Sequence, residues 1–280
     1  MEKLLNLDSI RLLLGNRSAI LGLIVIAFVI IVAIFAPYIA PYGPNDQNLL
    51  KRLSAPNQEH LLGTDGLGRD ILSRIIYGSR ISLSVGAISV GVGVLVAIPL
   101  GLLAGYGGGL LDDIIMRIVD VMLSFPSILL ALVVISILGP GLFNVMIAIG
   151  IWSIPLFTRM VRGEVLSTKE EVYIEAARSI GRSKFTIAIR HILPNCFAPI
   201  MVLATLRFAS AILSAAALSF LGLGAQPPTA DWGRMLSQGR QYLRTAWWFS
   251  TFPGLAIMFT VLGFNLLGDG LRDSFDPRMR

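Results

Sequence analysis

Few side chains in this sequence are equipped for bond-making chemistry. It has two histidines, His60 and His191, and one cysteine, Cys196. There is no H-E-x-x-H run, and no His/Cys/Asp/Glu spacing suits a metal, so no metal site is expected. Neither histidine lies in a hydrophobic run, and Cys196 begins one, where a thiol packs as a small apolar group. A nucleophile and base, or a metal set, at membrane depth are therefore missing, and no catalytic residue is expected. The chain has no G-x-x-x-x-G-K-[ST] loop and not even a Gly-Lys pair, so it lacks that means of holding ATP and is expected to carry no cofactor of its own. The chemistry left is charge recognition and docking. Arg207 sits well inside a hydrophobic run, in "TLRFAS". An arginine at a helix centre costs roughly 2.5–3.5 kcal/mol on membrane-insertion scales. It reads either as a translocation-path residue that meets a carboxylate or main-chain carbonyl, or as a structural pair or snorkelling side chain.

The second candidate is "EVYIEAARSIGRSKFTIAIRHILPN", residues 171–195, amphipathic and basic in an otherwise oily chain. Ser167 or Thr168 can cap a helix with Glu170 or Glu171 three residues later, a capping-box spacing. Val172, Ala176 and Ile180 then share one face at helical spacing. Gly181 is the residue type that most easily takes a left-handed C-terminal cap. Ser183 can cap a second helix with Phe185, Ile189 and Ile192 on one side, and Pro194 marks its end. Ala176 and Ala177 keep one surface shallow, which lets a helix lie close against another protein. The alternatives are a loop that covers the end of a bundle and a DNA-binding helix-turn-helix. Hydrophobic spans on both sides count against the last, and no nucleic-acid partner is expected.

The elements that must position these residues follow from composition. Of 280 residues, 55% are hydrophobic and only 14% charged, whereas about a quarter of an ordinary soluble domain is charged. Six segments have the roughly 20 apolar residues that a bilayer-crossing helix needs: about 19–36, 81–105, 114–138, 141–158, 197–221 and 249–268. The third and fourth are joined by "GPG", Gly139–Gly141, a tight hairpin turn. The expected architecture is an all-α membrane protein of six transmembrane helices. Lys3, Arg11, Arg17, Arg117, the basic residues from Arg159 to Arg190, and Arg272, Arg278 and Arg280 fall on one side if both termini are cytoplasmic, and this orientation follows from their excess. That placement accounts for the net charge of +6 without nucleic acid. The loops at about 37–80 and 222–248 then lie outside, with Trp247 and Trp248 at an interface. Asp112, Asp113, Arg117 and Asp120 are spaced to pair along one helix. Pro99 and Pro126 can kink their spans, and Gly101–Gly105 and Gly105–Gly109 suit close helix packing. With no glutamate in any span and aspartates only near the ends, a proton- or sodium-driven transporter is disfavoured.

"EAARSIGRSKFTIAIRHILPN" resembles the EAA motif of permease subunits of ABC importers, in which EAA is followed by three residues, Gly, nine residues and I-x-LP. Glu175, Ala176, Ala177 and Gly181 match it, and Leu193 and Pro194 fall in register. His191 stands where the motif has isoleucine, with Ile192 one place later. "LGTDGLGRDILSRIIYGSRISL", "LSFLGLGAQPPTADWGRML" and "WWFSTFPGLAIMFTVLGFNLLGDGLRDSFDPR" are similar to the C-type permease of dipeptide, oligopeptide and nickel importers, over nearly the whole chain. Ala215 stands where many relatives carry Glu, so no role of that carboxylate transfers. The resemblance implies a type I ABC importer permease fold in the bacterial inner membrane, with residues 1–80 as tail, first helix and external loop. Residues 81–280 would be a five-helix core with a coupling loop at about 159–196. It also implies that Glu175, Ala176, Ala177 and Gly181 dock on an ATPase. The expected partners are a homologous B-type permease, two ATPase subunits that carry ATP and Mg, a substrate-binding protein outside and membrane lipid. The implied substrate is a dipeptide or oligopeptide, or alternatively nickel or another small solute.

Overall fold

A computed structural model describes residues 15–275. Lys3, Arg11, Arg278 and Arg280, used above for orientation, lie outside that range. The elements are all helical: α1 (Arg17–Ile34), α2 (Ala36–Ile39), α3 (Ile71–Leu102), α4 (Gly109–Ser124), α5 (Ser127–Leu138), α6 (Leu142–Thr168), α7 (Val172–Ser179), α8 (Lys184–Ile187), α9 (Leu193–Phe220), α10 (Trp232–Gly239) and α11 (Trp248–Phe275). Five helices, α1, α3, α6, α9 and α11, are long and apolar enough to cross a bilayer, and α4 with α5 makes a sixth if that bent pair is one span.

The span expected at 114–138 is broken. α4 and α5 meet at 97°, because Pro126 has no N–H to donate and disfavours helical backbone at the residue before it. Phe125 accordingly takes the extended φ −88°, ψ 138°. The "GPG" turn forms as expected, with Gly139 at φ 85° and Gly141 at φ 157°. The span expected at 141–158 continues as helix to Thr168, so Glu164 lies within α6 after all, half-buried in its last turns. Ser167 and Thr168 are thereby inside α6 and cap nothing; Glu171 is the N-cap residue of α7 and makes no side-chain bond to it.

Small residues set the spacing of the bundle. α3, with the π-helical turn Leu103–Gly107 that extends it, packs on α6 so closely that a Cβ on Gly101 would lie 2.6 Å from Val161 Cβ, and one on Gly105 2.7 Å from Val165 Cβ. The second GxxxG does not act this way, since nothing lies near Gly109. α1 presents Ala19, Gly22, Ile26, Val29 and Ala33 inward as a helical stripe. It lies on α11, where Gly270 faces Ala19 and Gly263 faces Val25. Asn16 caps α1 through Ser18 N at 3.0 Å and donates to Asp273 at 3.2 Å, so the start of α1 and the end of α11 lie together.

At the opposite end, the segments before α3 and around α10 form a polar cap. Asp65, fully buried, accepts from Leu67 N (2.8 Å), Arg69 N (3.0 Å) and Arg69 Nε (2.7 Å). Asp70 caps α3 through Ser73 N at 2.7 Å and faces His60 Nδ1 at 3.0 Å. Arg74, also buried, donates to Pro44 O at 2.7 Å and to Thr229 O at 3.4 Å, joining the two loops. Trp232 Nε1 donates to Ile75 O (3.0 Å) and Trp248 Nε1 to Thr64 O (3.3 Å). Of the expected interfacial pair, Trp247 is half-exposed while Trp248 is buried in this cap.

Candidate coupling hairpin and membrane path

Between α6 and α9 the chain leaves the bundle for a two-helix hairpin. α7 ends in a Schellman arrangement: Arg182 N donates to Ala177 O (3.2 Å), Gly181 N to Arg178 O (2.9 Å), and Gly181 has φ 77°. Ser183 Oγ then accepts from Thr186 N at 3.2 Å and caps α8. The glycine turn and second cap are those expected, and Val172, Ala176 and Ile180 do share one face, the outer one. Ile174 and Ala177 point inward, while Val172, Ala176 and Ile180 point out. The expected second stripe splits: Phe185 is 77% exposed and Ile189 is exposed, while Ile192 is buried together with Ile187. A one-face stripe identifies a helix side but not which side the bundle takes.

The inward residues root the hairpin. Ile174, Ala177, Ile187 and Ile192 join Leu102 of α3, Val161 and Val165 of α6, and Cys196 and Ile200 of α9 in one cluster. A π-helical turn, Ala188–Ile192, leads into α9. It adds a residue to the turn and delivers Ile192, not His191, to the core, which accommodates the shifted isoleucine. Polar ties are few. Lys169 Nζ donates to Gly105 O at 3.4 Å, Asn195 Nδ2 to the Tyr173 hydroxyl at 3.0 Å, and the Arg178 guanidinium lies 5.7 Å from the centre of the Tyr106 ring. Burial pushes the Tyr173 hydroxyl pKa upward, so it stays a neutral hydrogen-bonding group.

Glu175 and Ala176 stand on the exposed surface, Ala177 lies beneath it, and Gly181 makes the turn. The hairpin is thus a knob fixed to three long helices, with apolar Val172, Ile180 and Phe185 and acidic Glu175 uncovered.

The acidic cluster on α4 also departs from expectation. Asp112, Arg117 and Asp120 do not pair with one another; Asp112 binds Arg162 of α6 bidentately at 2.5 and 2.6 Å, and Asp120 pairs with Arg159. The clasps fix α4 to the helix that carries the hairpin. Asp269 is exposed near the end of α11. Ala215 is buried beside Val85, Ile135, Val145 and Ile149. Arg207 lies midway along α9, half-buried and apart from the hairpin.

Residues 97–280 match the family described as binding-protein-dependent transport system inner membrane component, and residues 7–56 match the N-terminal TM domain of oligopeptide transport permease C. The chain is 50% identical to the dipeptide transport system permease protein DppC of Alkalihalophilus pseudofirmus, over 98% of this chain and 90% of that one. It is 46% identical to the di/tripeptide transport system permease protein DppC of Pseudomonas aeruginosa (95% and 89% covered). Against the glutathione transport system permease protein GsiD of Pectobacterium atrosepticum the identity is 48% (96% and 90%). In fold it is similar to a chain of the inward-facing MetNI methionine ABC transporter, with TM-score 0.57 at 20% identity over 72% of this chain and 97% of that one.

Proposed function

The chain belongs to the family of binding-protein-dependent transport system inner membrane components, and from that premise we propose that it forms half of the membrane pathway of an ATP-driven peptide importer. Its relatives named for dipeptides, di/tripeptides and glutathione share one substrate chemistry, a short peptide. The reading has residues 1–80 as the tail, first helix and external loop, and residues 81–280 as the core, with both termini in the cytoplasm. The other half is a homologous permease. Two ATPase subunits hold ATP and Mg, and a binding protein outside delivers the peptide to the polar cap. This chain is a transport subunit and hydrolyses nothing itself.

The observation that carries the reading is the rooted hairpin with its bare outer face. Closure of the ATPases on ATP moves Glu175–Gly181 as a rigid piece, because the glycine turn closes the end of the helix and its inner face is packed into α3, α6 and α9. The two permeases then open outward and accept peptide, and hydrolysis returns them inward. Such a cycle requires that the hairpin side bind the closed and open ATPases with different affinity, since a ligand shifts an equilibrium only by its differential affinity.

The test is uptake by the reconstituted assembly of both permeases, ATPases and binding protein, offered labelled dipeptide, oligopeptide and Ni²⁺. ATP-dependent dipeptide uptake is expected, lost in Glu175→Arg while the complex stays intact. Uptake of Ni²⁺ alone would replace the substrate class, and undiminished uptake in Glu175→Arg would leave the hairpin a passive cover.

A further inference from the structure

Arg207 is the one cation midway along a long apolar helix that the coupling mechanism leaves unused. It sits at the centre of the 28-residue α9, about 21 Å from either end at 1.5 Å per residue. With a hydrocarbon core about 30 Å thick centred on this helix, Arg207 lies roughly 15 Å from either edge, farther than one side chain snorkels. Nor does a structural pair explain it. Among the described residues the ion pairs gather near the two ends of the bundle, at Asp65–Arg69, His60–Asp70, Asp112–Arg162 and Asp120–Arg159, and none involves α9. α9 itself contains no Asp or Glu, and neither does α3, which packs on it. The acids of its other long neighbours are Glu164 on α6 and Asp269 and Asp273 on α11, all in terminal turns.

Two hydroxyls stand beside it on the helix. Ser210 and Ser214 follow at three and seven residues, which places them on the same side. All three are half-buried, on the edge between the packed side that carries Ala211, Ala215 and Leu218 and the open side that carries exposed Leu213. Ser210 Oγ donates back to Leu206 O at 3.3 Å, which leaves its lone pairs free to accept. No nitrogen of Arg207 is among the sealed, unpartnered polar atoms of the described residues, so the guanidinium is not shut inside this chain.

We propose that Arg207, supported by Ser210 and Ser214, is a mid-membrane site for the terminal carboxylate of a peptide in transit. This rests on the peptide-importer reading above. A guanidinium matches a carboxylate with two parallel N–H···O bonds, and a carboxylate is the anionic group that every free peptide carries whatever its side chains. A site in the middle of the path has to hold its ligand weakly enough to release it. A single pair flanked by hydroxyls, on the rim of a helix and not in a closed cavity, meets that requirement. The competing explanation is a carboxylate of the companion permease paired with Arg207 for assembly.

The experiment uses the reconstituted complex and labelled alanyl-alanine, with Arg207→Gln, Arg207→Lys, and Arg207→Cys in a Cys196→Ala background. Cys196 is the chain's one cysteine, so Arg207→Cys gives this chain a single thiol, in a complex whose other subunits are likewise made cysteine-free. The expected result is at least a tenfold loss of uptake in Arg207→Gln, with complex yield, thermal midpoint and binding-protein-stimulated ATPase unchanged. Arg207→Lys keeps most of the uptake. A cationic methanethiosulfonate adduct on the introduced thiol restores uptake, and an anionic adduct does not. Wild-type uptake in Arg207→Gln would overturn the proposal. So would a fall in complex yield parallel to the loss of uptake, which would assign Arg207 to the partner permease. A wild-type complex that moves no dipeptide at all would remove the importer reading beneath it, a failure distinct from either.

Discussion

The polar cap before α3 and around α10 and the α7–α8 hairpin, at opposite ends of the bundle, are built on opposite principles. In the cap, charged side chains are drawn inside and matched within the chain: Asp65 with Arg69, Asp70 with His60 and Ser73, Arg74 with carbonyls of both loops. In the hairpin, charged side chains stay outside, and Val172, Ile180 and Phe185 are left uncovered, each more than 70% exposed. The charges of the cap are matched by its own residues, while Leu49, Leu50 and Leu61 stay exposed on its surface. The hairpin keeps its charges outside, and its exposed apolar side chains have the character of a binding surface. A buried charge network resists deformation because breaking it strands a charge. Packed apolar contacts and a glycine turn transmit a push while leaving the outer face available.

The sharpest way to break this contrast is to strike the cap. Asp65→Ala strands Arg69 and Arg74 in a buried site, and removing one partner of a buried pair costs about 3–5 kcal/mol. Thermal unfolding of the detergent-solubilised complex should show a large fall in midpoint; an unchanged midpoint would mean the cap is not held by its charges. Between the two ends, Gly101→Leu drives a side chain into Val161 where even a Cβ has only 2.6 Å. Overpacking of this kind costs about 1–3 kcal/mol, read as a smaller drop in midpoint together with lost assembly.

At the hairpin, Gly181→Ala forces a Cβ into a left-handed conformation (φ 77°), at about 1–2 kcal/mol. The loss is local, so faster amide exchange across residues 172–187 and reduced uptake should appear with little change in the global midpoint. A shift of the global midpoint as large as that of Asp65→Ala would erase the distinction between the two ends. The smallest effect belongs to Asp231, which caps α10 through Arg234 N at 2.9 Å. Burial raises its carboxyl pKa above the ordinary aspartate value, against the hydrogen bonds and charge of Arg234. The folded chain therefore keeps this proton to higher pH than the unfolded chain does. Its contribution to stability is greatest below the ordinary aspartate range and declines as pH rises through the raised value. Asp231→Asn keeps a capping oxygen and should flatten that part of the pH–stability curve; an unaltered slope would show that Asp231 is not its source.

Much of the fold was legible from hydrophobic runs, because span length is dictated by the bilayer and is local in sequence. The glycine turn at Gly181, the cap at Ser183 and the close packing at Gly101 and Gly105 were legible for the same reason. The Asp112–Arg162 clasp was not. Spacing rules pair residues within one helix, and its partner lies 50 residues away on another. The shared face of Val172, Ala176 and Ile180 was legible, but not that it points outward, because Ile174–Ala177 is an equally plausible inner stripe and only the position of Val165 and Leu102 chooses between them. The buried charges of the cap looked like ordinary loop residues, since a sequence does not show which loops fold back over one another. Arg207 was identified from its depth in a hydrophobic run; its lack of a partner needed the packed helices.

If ATP hydrolysis drives the membrane helices through the hairpin, the ATPases must cover its outer face. Amide hydrogen exchange on the membrane complex, with and without the ATPase subunits, tests it most directly. Strong protection of residues 172–187 on ATPase binding, with residues 60–75 of the cap unchanged, is the predicted result. Exchange in 172–187 that is indifferent to the ATPases would contradict it.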